Sequence, residues 1–342
     1  MKKFSLIPLA LIGMIFSSCS SSKPSVFDDM CTTEVSVKNF VRAETDMQMK
    51  GYVHAFNAFG QLHHNRAMYD VTKQITIRPN TDTLYSFGIY DLTTPVKLSM
   101  PKLDRYQSAM IVNQDHSLFA AYEGDHDFTQ DKIGTRYVFI VIRTFVDPND
   151  EADLENAHKA QDMIKISQKS RGRFSITRWD VKSLEAKRQQ LAEIAGLLSG
   201  TQGMFGKKED LNPVIHLVGT AYGWGGLPEK DAFYNLGEVE NNDGKALYSL
   251  TVKDVPVDGF WSVTVYNQKG YFDINERGVY SINSKTAKRN EDGSVTVNFG
   301  GDSSQANVLD IMPGWNYAIR LYKPQQSILD GTWNFPKPSE LK

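Results

Sequence analysis

Arg78, Asn80, Asp82 and Tyr85 crowd one short run, Arg78-Pro79-Asn80-Thr81-Asp82-Thr83-Leu84-Tyr85-Ser86. A guanidinium fork, a carboxamide, a carboxylate and a phenol at the rim of a cleft can grip a polar or anionic ligand, with Arg105 and Arg143 placed to complete the grip. The same run also suits a rigid turn leading into a strand. Pro79 fixes φ and withholds a donor, while Asn80 and Asp82 bond to nearby backbone. Buried arginines in β proteins often tie loops through carbonyls and carboxylates, so both readings stand. Trp224 sits in Gly223-Trp224-Gly225-Gly226, beside glycines rather than inside a strand pattern, and is the aromatic best suited to touch a ligand. No Lys-Ser/Thr follows that run, so it reads as a hinge rather than a phosphate cradle.

Other chemistries find less support. His54, His63 and His64 lie near one another, and His116 and His126 lie beside Asp115, Glu123, Asp125 and Asp127, but neither group has a known ligand spacing. The acidic stretch 123–131 lacks the oxygen spacing of an EF-hand and reads as a solvated turn. The expectation is therefore no metal and no bound cofactor. There is no G-x-S-x-G elbow, and no serine or cysteine has a local base. Catalytic residues stay unassigned. The alternative to a binding protein is a hydrolase or lyase without a bound metal, its acid and base drawn from Asp82, Tyr85, an arginine and His116.

The elements that must position these residues read as β-rich. Aromatics at 11%, with 25 Gly and 13 Pro, favour strands and turns. Apolar positions Met47, Tyr52, Val53, Phe56, Phe59 and Leu62 recur at helical spacing over 44–68, predicting one or two short helices. Short strands are expected at 74–78, 84–90, 96–100, 106–112, 118–122 and 137–145. Residues 151–167 and 183–198 read as helices, and 200–208 as a mobile loop. Strands return at 246–252, 260–267, 278–282, 294–299 and 316–322. Asn290-Glu291-Asp292-Gly293 and Asn241-Asn242-Asp243-Gly244 are turn signals. Trp261, Tyr266, Trp315, Tyr317 and Tyr322 read mostly as core, by alternation.

The start of the chain addresses its location. Lys2 and Lys3, an apolar run over 6–16, then Ser17-Ser18-Cys19 have the form of a bacterial export signal, with Cys19 placed for lipidation after cleavage. Ser20 resembles the pattern sorted to an outer membrane. Cys31 is then an unpaired thiol, and no disulfide framework exists. Lys plus Arg is 38 against Asp plus Glu 40, which does not suggest nucleic acid as a partner. The expected layout is a signal over 1–18, a lipid-anchored tether over 19–36, a β domain with leading helices over 37–147, a helical module over 148–220 and a second β domain over 221–342.

Two sets of residues carry a family resemblance. The Arg78–Ser86 run with Asp91, Pro101, Arg105-Tyr106, Ile142-Arg143-Thr144, Asp153-Leu154 and Gln161 resembles the bacterial domain of unknown function 1254. Pro256, Phe260-Trp261-Ser262-Val263-Thr264-Val265-Tyr266, Asp292-Gly293-Ser294-Val295, Arg320-Leu321-Tyr322-Lys323-Pro324 and Gly331-Thr332-Trp333 resemble its usual companion, domain 1214. The chain departs from the companion pattern at Asn307-Val308-Leu309-Asp310. The resemblance implies a mainly β protein: an immunoglobulin-like sandwich and a jelly-roll sandwich joined by a small helical module. It implies no activity. The combined expectation is a lipid-anchored envelope protein, facing the periplasm, that binds a small-molecule or glycan ligand in a cleft between two sandwiches. Assembly with further copies of the chain is left open.

Overall fold

A computed structural model describes residues 32–74, 78–195, 197, 201–302 and 304–342. The export segment, Cys19, Cys31, most of the tether and the centre of the strand expected at 74–78 lie outside the described residues. Among the described residues the protein is mainly β, with sixteen strands in four sheets. No described helix is long and apolar enough to cross a membrane. The chain divides into two units. The first takes the described residues of Met1–Arg66, Tyr85–Thr144 and His158–Leu227, and the second takes those of Ala67–Leu84, Phe145–Ala157 and Pro228–Lys342. Residues expected to form a separate helical module are thus shared between the two.

In the first unit the helices are α1 (Phe40–Phe56), α2 (Gln130–Ile133), the end of α3 (Glu151–Asp162), α4 (Val181–Ala195) and α5 (Pro213–Gly223). Its strands are β1 (His63–His64), β2 (Thr83–Asp91), β3 (Val96–Met100), β4 (Gln107–Asn113), β5 (Leu118–Ala121), β6 (Gly124–Phe128), β7 (Tyr137–Phe145) and β8 (Lys165–Gln168), with the first residues of β2 and the last of β7 falling in the second unit. They form a five-stranded sheet, β1-β2-β7-β4-β5, and a three-stranded sheet, β6-β3-β8. Period-two burial drives their packing. Val96, Leu98 and Met100 of β3 share one core with Ala109 and Ile111 of β4 and Val138, Ile140 and Ile142 of β7. Each of the buried Val, Leu, Ile and Met side chains contributes roughly 1.5–3 kcal/mol. β1 and β8 are left as edges of their sheets.

Three local readings are corrected here. The helix expected through 167 stops at Asp162, and Ile164 and Ile166 alternate inward as residues 165–168 pair with β3. The acidic stretch after Glu123 is β6, paired with β3, followed by α2, whose N-cap Thr129 accepts from the Lys132 N–H. Finally, α1 buries more than an apolar stripe. Glu44, Thr45, Asp46 and Gln48 are buried beside Phe40, Ala43, Met49 and Tyr52, whereas Met47, Val53 and Phe56 are only partly covered. Those polar groups are engaged, because an unpaired buried charge would be costly. Glu44 pairs with Arg188 at 2.8 Å, and Asp46 accepts from Gln114 at 2.7 Å and Trp179 at 3.0 Å.

The second unit holds β9 (Ala232–Gly237), β10 (Tyr248–Val252), β11 (Trp261–Tyr266), β12 (Ser281–Asn283), β13 (Val295–Phe299), β14 (Val308–Leu309), β15 (Asn316–Tyr322), β16 (Ser339–Glu340) and α6 (Gln326–Leu329). Its two sheets run β14-β13-β10-β16 and β12-β11-β15-β9. Leu250, Val297 and Phe299 from one and Val263, Ile319 and Leu321 from the other belong to a single core with the fully buried Trp315. The aromatics at 261, 266, 315, 317 and 322 are all buried.

Candidate functional site

The Arg78–Asp82 run lies in the second unit and is tied to the sheet of β11, β12 and β15 by nearly every residue. Arg78 holds a φ of 52°, donates its N–H to the Gly270 carbonyl at 2.7 Å and its guanidinium to Asn316 Oδ1 at 2.7 Å. The Arg78 and Pro79 carbonyls accept from Arg320 at 2.9 Å and the Tyr266 hydroxyl at 2.7 Å. Asn80 accepts from the Asp82 N–H and donates to the Tyr322 hydroxyl at 2.9 Å. Asp82 is fully buried and accepts from Ser281 at 3.0 Å and Asn283 at 3.1 Å. These side chains come together as a clasp between a loop and a sheet.

The remaining candidates lie in the first unit, in two places. Arg143 is fully buried on β7 with its guanidinium 5.8 Å from the ring centre of half-buried Tyr85. Beside them the Tyr52 phenol is pushed well up, by burial first and by Tyr85 second. Arg105 stands half-buried in the loop before β4. Trp224 is 4% exposed, donates to Thr45 Oγ1 at 3.0 Å and stacks on His116 at 5.2 Å. His116 is fully buried, with Nε2 accepting from the Gly225 N–H at 2.9 Å and Nδ1 2.8 Å from Thr220 Oγ1. Since the Thr220 hydroxyl donates to the His216 carbonyl, His116 must donate to Thr220 from Nδ1. Burial, and then neighbouring His216, hold this imidazole neutral, well below the ordinary histidine range. Among the described residues no three His, Cys, Asp or Glu side chains are grouped to hold a metal ion.

A cleft of about 770 Å³ opens elsewhere in the first unit, where the edges of its two sheets meet. Its walls are residues 60–62 with His64 of β1, and residues 164–168 with Arg171, over Tyr90 of β2. Tyr90 is 1% exposed, and its shielded hydroxyl has no hydrogen-bond partner among the described residues. Burial pushes this phenol up, keeping its proton in place as a donor. Gln168 donates to the Asp91 carbonyl at 2.5 Å and the Thr94 carbonyl at 3.0 Å, and its buried Oε1 has no partner among the described residues. Lys165 and Arg171 are exposed at the cleft, and Arg171 lies 5.4 Å over the Phe59 ring.

A second clasp sets the Arg171 loop. The buried Asp91 carboxylate accepts from Arg136 at 2.8 Å and 3.1 Å and from the Arg173 N–H at 3.1 Å. Burial raises the Asp91 carboxyl, but hydrogen bonds from Arg136 and from the backbone of Arg173 and Thr93 win and hold it at about 2.

Residues 59–132 match the family described as "Protein of unknown function (DUF1254)", and residues 235–326 match "Protein of unknown function (DUF1214)". One region of the chain is thus similar to DUF1254 and a second to DUF1214. The cleft is built largely from the DUF1254 region and the strand β8 beyond it. Among solved structures, the VPA0106 protein from Vibrio parahaemolyticus is similar at a TM-score of 0.66 and 18% identity, covering 89% of this chain and 98% of that one. An uncharacterised protein from Burkholderia cenocepacia is similar at a TM-score of 0.47 and 14% identity, covering 89% and 88%. The Vibrio likeness shows a shared fold and nothing of activity. No curated protein matches the chain.

Proposed function

We propose that this DUF1254 and DUF1214 protein binds a small ligand in the cleft between β1 and β8, and that it works in the cell envelope, held by lipid on Cys19 and facing the periplasm. The Tyr90 hydroxyl carries the binding reading. It is a buried donor in the wall of a roomy cleft, with no acceptor among the described residues. Leaving such a group unpaired costs about 1–3 kcal/mol, which an acceptor on a ligand would offset. The unbonded Oε1 of Gln168 in the same wall supports the same reading. The envelope assignment is supported by Lys2-Lys3, the apolar run that follows and the position of Cys19.

Native mass spectrometry of the full-length chain in detergent, before and after denaturation, tests the first part. A mass lost on denaturation of the wild type and missing from Ser167→Trp, which fills the cleft from an exposed wall position, is the expected result. A clean apo mass from the wild type argues against a tightly held ligand. For the anchor, Cys19→Ala moves the protein from the membrane fraction to the soluble one, and an unchanged membrane fraction rejects lipid on that cysteine.

A further inference from the structure

We infer that the cleft selects a small hydroxylated anion, the chemistry shared by sugar acids and sugar phosphates, an inference that rests on the cleft being the binding site. The argument is a count of donors and acceptors, beginning behind the wall. Arg66 donates to Gln161 Oε1 at 3.2 Å, and Gln161 Nε2 donates to the fully buried Ser86 hydroxyl at 3.0 Å. Ser86 Oγ lies 2.7 Å from His64 Nδ1. Among the described residues the buried Ser86 hydroxyl has no other acceptor, so it gives its hydrogen to His64, and the ring accepts at Nδ1 and carries its proton on Nε2. His64, which lines the cleft, therefore carries a ring N–H. Ser86, enclosed between these partners, is no nucleophile.

The other groups around the cleft have the same sense. Among the described residues the Tyr90 O–H has no acceptor, and Lys165 and Arg171 bring two cations that form no ion pair. A Cβ on Gly60 would come within 2.2 Å of Arg171 Cγ, so the missing side chain lets the arginine stem lie across this wall. Among the described residues no carboxylate lines the cleft. Donors and positive charge without a counter-anion suit a carboxylate or phosphate. Gln168 Oε1 is the exception, an acceptor that calls for a hydroxyl on the same ligand.

Isothermal titration calorimetry on the full-length chain in detergent, with glucuronate, glucose 6-phosphate and uncharged glucose as probes, tests this. At least one of the two anions should bind ten-fold or more tighter than glucose, and whichever is tighter identifies carboxylate or phosphate as the anionic group. Lys165→Glu with Arg171→Glu should abolish that preference, and Tyr90→Phe should weaken the anion about ten-fold while the melting temperature holds. Glucose binding as tightly as both anions, with Ser167→Trp blocking all three, overturns the anion inference and leaves the cleft as the binding site. Binding that survives Ser167→Trp unchanged rejects the cleft itself. Failure of all three to bind the wild type also overturns the inference, and retained mass in the native spectrum would then keep the cleft reading alive with a different ligand.

Discussion

A β-carbon on Gly172 would stand 2.4 Å from Oδ2 of Asp91. The chain can pass that close over a buried carboxylate only without a side chain, and Gly172 also holds a φ of +68°. The close pass is what lets the Arg173 N–H reach Asp91 and fixes the loop bearing Arg171. Gly172→Ala meets both obstacles and should destabilise by roughly 2–4 kcal/mol, seen as a lower urea midpoint. Lys169→Ala, at an exposed position in the same stretch, should leave the midpoint where it was.

Asp91 also gives an acid limb. Its folded carboxyl sits at about 2, below the value near 3.9 of an unfolded chain, so the unfolded state binds more protons between those limits. Its contribution is fully present above pH 4 and is lost as pH falls toward 2. Arg136 is 42% exposed, so the pair is screened, and about 1–2 kcal/mol is the expected size. Urea midpoints measured from pH 2 to 6 should show Asp91→Asn less stable near neutrality and flatter below pH 4. Parallel curves for the two proteins would place the acid limb on other carboxylates.

The mainly β character was legible because strand alternation is local: Val96, Leu98 and Met100 announce their inward face without reference to anything distant. The β8 segment was hidden because its composition favours a helix, and only pairing with β3 makes it a strand. With β8 unread, one wall of the cleft was invisible, and Tyr90 looked like an ordinary strand aromatic. His64 drew notice only as a possible metal ligand, since nothing local links it to Ser86, 22 positions away. The Arg78–Asp82 run did stand out, but its partners at 266, 281, 283, 316, 320 and 322 are long-range and could not be read from the run itself.

Those partners make a prediction for the second unit. Asp82→Ala leaves Ser281 and Asn283 without their acceptor in a fully buried place, which should cost about 2–4 kcal/mol. Both donors meet the same Oδ1, so Asp82→Asn keeps their shared acceptor and should cost less. Circular dichroism melts of the two variants check the order. A ligand-binding defect in Asp82→Asn at unchanged melting temperature would instead give this residue a role beyond tying the loop.

His116 sets a second pH dependence, with the same sign at a higher pH. Its imidazole is held neutral in the fold by burial and by His216, while in the unfolded chain it titrates near 6.5. Below that pH the unfolded state takes up a proton that the folded state refuses, so stability falls as pH drops through 6.5 and is fully present above it. One proton gives a slope of at most about 1.4 kcal/mol per pH unit. His116→Gln keeps an acceptor for the Gly225 N–H and a donor for Thr220 but cannot titrate, so it isolates the proton from the packing. Urea midpoints between pH 5 and 8 should therefore lose about one proton's worth of slope in the variant. An unchanged slope would mean that the fold accepts a charged His116, which its two hydrogen bonds, one of them accepted at Nε2, do not permit.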